Sequence, residues 1–307
     1  MSRYIARRLL LAIPVLIGAS FFIFFLVYAL PGDPIRALAG DRPIPPGVAA
    51  ELRDRFNLDD NLLVQYLKYM GGLLQGDLGI DFSGRPVADT IAQRLPVTVK
   101  LAVTALVIEA VIGLIAGVLA GIRRGSFLDN LVLVSTTFLI AIPVFVLGFT
   151  LQYFLGVQFD LFPISGANEG LLSFVLPGFA LASASMAYIA RLLRTSLAEN
   201  LRNDYVRTAR AKGLPERLVI GKHTLRNSLI AVVTFLGADF GSLMGGAIIT
   251  EGIFNLPGIG SAVFDAVRSQ EGTVVVGVTT FLIFVYIFFN LLADVLYAAL
   301  DPRIRYD

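Results

Sequence analysis

Apolar residues along this chain come in long unbroken blocks rather than in alternation, and six blocks are each long enough to cross about 30 Å of hydrocarbon as a helix of some 20 residues. They cover 9–30, 97–122, 131–157, 171–193, 228–251 and 274–300. Lipid offers no partner for backbone N–H and C=O groups, so such blocks must be helical. The fold expected is all-α, a polytopic membrane protein with six transmembrane helices. Between the first two blocks the pattern changes. Segment 31–96 opens on Pro31-Gly32-Asp33-Pro34 and Pro43-Ile44-Pro45-Pro46-Gly47, which interrupt a helix, and continues in short amphipathic stretches at 48–56 and 62–74. These predict a small helical external cap. Pro96 falls where the first turn of the second helix tolerates proline. The organisation expected is therefore an N-terminus with the first transmembrane helix (1–30), the cap (31–96) and a core of five transmembrane helices (97–307).

Composition agrees with a bilayer: 56% hydrophobic and 16% charged residues, mean hydropathy +0.76, against about 25% charged in soluble domains. The first block, at about 22 residues, is too long for a signal-peptide core and reads as an uncleaved span. Lys and Arg set its direction. Arg3, Arg7, Arg8, Arg123, Arg124, Arg191, Arg194, Arg202, Arg207, Arg210, Lys212, Arg217, Lys222, Arg226, Arg303 and Arg305 all fall on one side, which places both termini and segment 191–227 in the cytoplasm. Cysteine is absent and His223 is the single histidine, so no thiolate nucleophile, disulfide or histidine-pair metal site can be built. Gly113, Gly117 and Gly121, and again Gly237, Gly241 and Gly245, recur every four residues, a spacing that lets helices pack closely in lipid.

Segment 191–227 carries nine basic and three acidic residues. Charge alone is a topology signal, and it gives no reason to invoke nucleic acid. The internal pattern adds more: Leu197, Leu201, Tyr205 and Ala209 recur at helical spacing, Gly213-Leu214-Pro215 breaks the helix, and a second amphipathic stretch runs over 216–225. Such a helix-turn-helix at a membrane surface presents a face to a soluble partner.

Tyr205-Val206-Arg207-Thr208-Ala209-Arg210-Ala211-Lys212-Gly213-Leu214 resembles the coupling loop of permeases from binding-protein-dependent ABC importers, in the form of the dipeptide/oligopeptide branch. Against the wider family's loop, Gly213, Ala209 and Leu225 match, while Arg207, Thr208, His223 and Arg226 stand where Glu, Ala, Ile and Pro would be. Further likenesses are Leu30-Pro31-Gly32-Asp33-Pro34, Gly76-Asp77-Leu78-Gly79, Arg94-Leu95-Pro96-Val97-Thr98, Glu251-Gly252-Ile253-Phe254-Asn255-Leu256-Pro257-Gly258, Asp294-Val295-Leu296-Tyr297 and Asp301-Pro302-Arg303. The chain is most similar to the B-type subunit. That resemblance implies a heterodimer with a related C-type permease, two cytoplasmic ATPases binding ATP and Mg, an external substrate-binding protein, and a bacterial or archaeal plasma membrane. Related systems carry dipeptides, longer peptides, nickel complexes or haem. Coupling would fall to Tyr205, Arg207, Thr208, Ala209, Arg210, Ala211, Lys212, Gly213, Leu214 and Pro215.

No nucleotide site is expected in the chain itself, since Gly221-Lys222-His223-Thr224 lacks the spacing of a phosphate loop. The chain is therefore expected to be a transport subunit without cofactor or catalytic residues. Within the fifth block Asp239, Ser242, Gly246 and Thr250 form one helical stripe, expected to line a translocation path. Two other functions bear on the same residues. An ion-coupled secondary transporter would show internal repeats, and an intramembrane aspartyl protease would bring Asp239 and Asp294 together.

Overall fold

A computed structural model describes residues 2–29, 35 and 45–300, with side chains set aside at 2–5 and 296–300. The turn motifs at 30–34 and 43–44, and Asp301-Pro302-Arg303 with Arg305, lie outside the described residues, and of Arg3 only the backbone is described. Among those described the chain is helical, with one isolated antiparallel bridge, Ile80 to Pro86, in the cap. Five helices are long and apolar enough to cross a membrane, or six if one bent pair counts as a span.

The first, α1, is Ser2–Tyr28; the cap contributes α2 (Pro46–Arg55) and α3 (Leu62–Leu74), close to the amphipathic stretches read from sequence. Asn61 caps α3 by accepting from Leu63 N at 3.0 Å. Tyr66 of α3 reaches into α1, donating to the Ile17 carbonyl at 3.0 Å and meeting Ser20 Oγ at 2.9 Å, so the cap is bound to the first span.

Helix α4 is Val87–Ile122 and begins ten residues before the second apolar block. Pro96 is therefore inside a helix and not in its first turn. The added turns are amphipathic: Val87 and Ile91 are buried in a cluster with Val263, Val274 and Val278, and their polar neighbours hide them from a hydropathy reading. The helix runs through the expected boundary between cap and core.

The third block is not one straight span. Helix α5 (Phe127–Ala141) and helix α6 (Val144–Leu151), continued by a π-helical stretch Gln152–Gln158, meet at 103°. Pro143 drives Ile142 into an extended conformation, φ −86° and ψ 122°, and so breaks the helix. A 3₁₀ turn, Gly170–Phe174, leads into α7 (Val175–Asn200). Then come α8 (Asp204–Ala211), α9 (Glu216–Leu218), a second π-helical stretch Val219–Thr224, α10 (Leu225–Ile253), α11 (Ile259–Arg268) and α12 (Gly272–Leu300). The fifth span is thus continuous with the amphipathic stretch before it, and α11 is an element the apolar blocks did not announce.

The glycine ridge of α4 makes the tightest seam in the core. A Cβ on Gly113 would meet Ile189 Cβ at 2.9 Å and the Met186 carbonyl at 3.0 Å; Gly117 faces Leu193 and Ala190, and Gly121 faces Leu197 and Arg194. Both series ascend together, so α4 and α7 run parallel. The intervening chain must recross the membrane, and α5 with α6 is the segment that does so. Side-chain contacts agree. Asp129 at the start of α5 is buried against Arg194 near the end of α7, and the Arg194 guanidinium engages both its oxygens. Gln152, at the far end, donates to the carbonyls of Ile164 (2.7 Å) and Ile253 (3.1 Å), the latter closing α10. The fold has six crossings, one of them bent.

The second ridge behaves differently. Gly241 packs against Tyr286 and Phe289 of α12, whereas Gly245 is exposed with nothing within 4 Å and Gly237 is half-buried.

Candidate functional site

Helix α7 ends at Asn200, and the three-residue turn after it delivers α8, whose polar and apolar residues separate sharply. Val206 and Ala209 are buried against Val219, with Leu214 beside them. The opposite face, Tyr205, Arg207, Thr208 and Ala211, is exposed, as are Lys212, Gly213 and Pro215. Ala209 thus serves the chain's own packing while Ala211 is open to a partner.

The end of α8 follows from Gly213. At φ +74° it takes a left-handed conformation that costs other residues about 1–2 kcal/mol, and no atom lies within 4 Å of where its Cβ would be. Gly213 N donates to the Arg210 carbonyl (2.9 Å) and Leu214 N to that of Ala209 (3.3 Å), the paired bonds of a Schellman turn, with Leu214 packed back on Ala209. Arg210 then grips Glu216 through two bonds, Nη2 to Oε1 at 2.5 Å and Nε to Oε2 at 3.2 Å, and this carboxylate holds the guanidinium even more firmly protonated than usual. The Arg207–Asp204 pair, 3.6 Å apart and fully in solvent, adds little.

Asn200 is the hub. Its Oδ1 accepts from the Tyr205 hydroxyl (3.0 Å) and from Asn203, while its Nδ2 donates to Ser228 Oγ (3.1 Å) at the base of α10. One side chain therefore ties α8 to two spanning helices. Sequence pattern had not singled out Asn200 or Ser228. Gly221-Lys222-His223-Thr224 lies within the helical stretch Val219–Thr224, which has no loop to wrap a phosphate.

On α10 the expected stripe divides. Ser242 and Gly246 are exposed, but Thr250 is fully buried and Asp239 is only 9% exposed. Asp239 turns toward Glu109 of α4 and Ser185 of α7. Glu109 is 0% exposed, and among the described residues both its carboxylate oxygens and Asp239 Oδ2 lack a hydrogen-bond partner. Sequence reasoning missed Glu109 although it is the only acidic residue in block 97–122. Asp294 is elsewhere, 3.2 Å from Arg8 Nη1. The two aspartates have different partners, which is not the shared-proton dyad a protease needs.

Comparison with known sequences decides the family. A profile described as binding-protein-dependent transport system inner membrane component matches residues 113–306, and its companion for the N-terminal part of such components matches 1–102. The chain belongs to that family. The permease is 40% identical, over 100% of both chains, to "Glutathione transport system permease protein GsiC" of Escherichia coli O6:H1 (strain CFT073). It is 36% identical, again over the whole of both, to "Probable peptide ABC transporter permease protein y4tP" of Sinorhizobium fredii (strain NBRC 101917 / NGR234). Among solved structures, an inward-facing MetNI methionine ABC transporter has the same fold: TM-score 0.57, 19% identity, 69% of this chain and 96% of that one. The permease is a multi-pass inner-membrane transport component.

Two motifs of the permease, far apart in sequence, meet at the end of the bundle opposite α8. Glu251, fully buried, receives the Thr98 hydroxyl at 2.6 Å and the Ser261 amide at 2.9 Å, while Thr98 Oγ1 accepts from Ile259 N at 2.8 Å. These are the free amides that begin α11, so one carboxylate and one hydroxyl cap that helix. Glycine at 258 and 260 is required by close approach, since a Cβ at either would collide with the Glu251 carboxylate. Arg94 completes the joint through Ser261 Oγ at 3.0 Å. Arg94 to Thr98 and Glu251 to Gly258 were read as resemblances; their structural role is to bolt α4, α10 and α11 together.

Proposed function

We propose that the chain is the B-type permease subunit of an ATP-driven importer of short peptides, with both termini and segment 191–227 in the cytoplasm. Glutathione and peptide, named for relatives matched end to end, support peptides as the substrate class. In this reading the chain comprises a spanning N-terminal helix, an external cap and a five-span core, with α4 continuous from the cap into the core. A related C-type permease, two ATPase subunits holding ATP and Mg, and an external binding protein complete the assembly.

The observation that carries the reading is the construction of α8. On its outer face Arg207, Thr208 and Ala211 are exposed and make no bond to another helix among the described residues, while Tyr205, the inner face and both ends are fixed to α7 and α10. A helix built this way transmits displacement: a push on the exposed face reaches the bases of two spanning helices through Asn200, Val219 and the Arg210–Glu216 pair. The exposed part of the α10 stripe, Ser242 and Gly246 with neighbouring Gly245, lines the path, and Asp239 and Thr250 stand behind it.

Ala211→Arg tests this. The residue is exposed, so the variant folds and inserts normally, but its bulk obstructs a close-packed contact. Co-purification of the ATPase subunits and ATP-dependent peptide uptake are both expected to fall at least about tenfold, the effect of losing about 1.4 kcal/mol. Unchanged assembly and uptake would exclude α8 as the coupling contact.

A further inference from the structure

Helix α7 is enclosed on nearly every side, and along its length only Ala184, Tyr188, Thr195 and Glu199 are exposed. Their spacing of four, seven and four residues draws one narrow strip down the helix. Where α4 exposes Val103, Val107, Val111, Ile115 and Leu119, a surface suited to lipid, this strip holds no large aliphatic side chain. Polar residues placed so within a span face a water-filled cavity or the bundle interior. The strip adjoins the open face of α10. Tyr188 lies against Phe235, ring centres 4.6 Å apart, and a Cβ on Gly246 would stand 3.3 Å from Leu181, three residues before Ala184.

Arg191 fills the gap in that strip between Tyr188 and Thr195. By sequence it opens the basic segment, yet its side chain turns back into the bundle. Arg194 holds Asp129, whereas Arg191 donates through Nε to Thr136 Oγ1 at 3.0 Å and through Nη2 to Thr137 Oγ1 at 2.6 Å. The two arginines are about 4.5 Å apart along α7, but their partners are about 11 Å apart along α5. A long cationic side chain in lipid extends toward the headgroups; this one is drawn away from them. Both threonine hydroxyls donate to the Leu133 carbonyl, at 3.1 and 2.7 Å, so they meet the guanidinium as acceptors and carry no charge. No carboxylate among the described residues bonds Arg191. Asp129 is taken by Arg194, Asp239 meets α7 at Ser185, about 9 Å along the helix, and Glu199 is about 12 Å away in the other direction. Two of five guanidinium N–H groups are thus used, and Nη1 has no protein partner and is not sealed from solvent. Thr137 also lines a shallow groove of about 410 Å³, with Leu133, Val134, Phe138 and Ala141.

We infer that Arg191 recognises the terminal carboxylate of a peptide moving along this strip. Its remaining Nη1 and Nη2 hydrogens donate to the two carboxylate oxygens while Thr136 and Thr137 hold the fork in position, and the groove beside Thr137 receives the adjoining side chain. Every linear peptide carries that carboxylate, so a fixed cation takes hold without reading side chains. The inference rests on the chain being a peptide importer, and adds which end of the peptide is read and by which residue.

Ala184→Cys supplies a reporter on the strip, because the chain has no cysteine of its own. In the complete transporter, purified without its binding protein, thiol labelling of this chain is followed by mass spectrometry against rising trialanine or trialanine amide, which lacks the carboxylate. Trialanine is expected to protect at about tenfold lower concentration than the amide, the difference made by one charge-assisted contact. With Arg191→Gln the two peptides become equal, and Arg191→Lys keeps part of the difference. A purely structural role would weaken both peptides alike, so an unchanged ratio in Arg191→Gln overturns the inference. Equal or absent protection by the two peptides with Arg191 in place also overturns it. Loss of the assembled permease pair in both Arg191 variants overturns it in favour of a carboxylate from the partner permease. ATP-driven uptake of trialanine into proteoliposomes, with the binding protein present, separates this inference from the reading beneath it. Arg191→Gln is expected to lower uptake about tenfold. Uptake by wild type that Arg191→Gln leaves intact overturns the carboxylate contact alone, whereas no peptide uptake by wild type overturns both.

Discussion

Glu109 and Asp239 meet inside the bundle with three carboxylate oxygens unpartnered, an arrangement that costs about 1–3 kcal/mol for each buried group left without a hydrogen bond. The consequence separates two substitutions of similar severity on paper. Glu109→Gln keeps the shape and gives Asp239 an amide donor, so the unfolding midpoint of the purified permease should hold or rise. Glu109→Ala opens a void and removes a carboxyl neighbour of Asp239; it should lower stability by about 2–4 kcal/mol, the cavity and transfer loss of a large-to-small change. A thermal-shift series settles it, and equal losses in both variants would show that the two carboxyls do not interact. Asp239 was legible in the sequence as a polar residue in an apolar block. Glu109 carried the same signal. What no local pattern contains is that the two face each other, because that depends on how α4, α7 and α10 pack.

At the scale of elements, glycines with the same four-residue spacing do different work, and the structure tells them apart. Gly117→Ala would set a methyl 2.8 Å from Leu193 Cβ and 2.9 Å from the Ala190 carbonyl, forcing α4 and α7 apart at about 1–3 kcal/mol. Gly245→Ala meets nothing within 4 Å and gains helix propensity, about 1 kcal/mol. In the isolated chain the first should lower and the second hold or raise the unfolding midpoint. If the second is equally harmful there, the α10 ridge is packed within the chain after all. Helix positions were largely readable because apolar blocks of spanning length admit one secondary structure in lipid. Their ends and breaks were not. Pro96 continues a helix and Pro143 ends one, although both sit in or beside apolar blocks; the difference is that Ile142 adopts an extended conformation while the turns before Pro96 are held by Val87 and Ile91 in the core. Helix α11 escaped notice because ten amphipathic residues cannot span a bilayer. What fixes it is a cap supplied by Glu251 and Thr98 from other elements.

At the scale of the whole molecule, parity decides which ends of the helices share a compartment. Were the bent α5–α6 pair re-entrant, α7 would run opposite to α4, and the basic cluster after α7 would face outward, against the Lys and Arg distribution. The glycine seam forbids this, since Gly113, Gly117 and Gly121 climb α7 in the same direction as they climb α4. Sequence charge and three-dimensional packing therefore converge independently on six crossings. The chain has no cysteine, so single cysteines report cleanly. Positions must be chosen for exposure: Ala198, inside the basic segment, is buried and would stay silent whichever way it faced. Asp59 in the cap, Asp160 after the π-helical stretch and Arg202 after α7 are all exposed. With an impermeant thiol reagent on intact cells, Asp59→Cys and Asp160→Cys should label, and Arg202→Cys should label only after the membrane is opened. A re-entrant pair exchanges the last two results while leaving the first unchanged, so labelling of Arg202→Cys from outside together with protection of Asp160→Cys would overturn the six-crossing topology and, with it, the placement of α8 on the ATPase side.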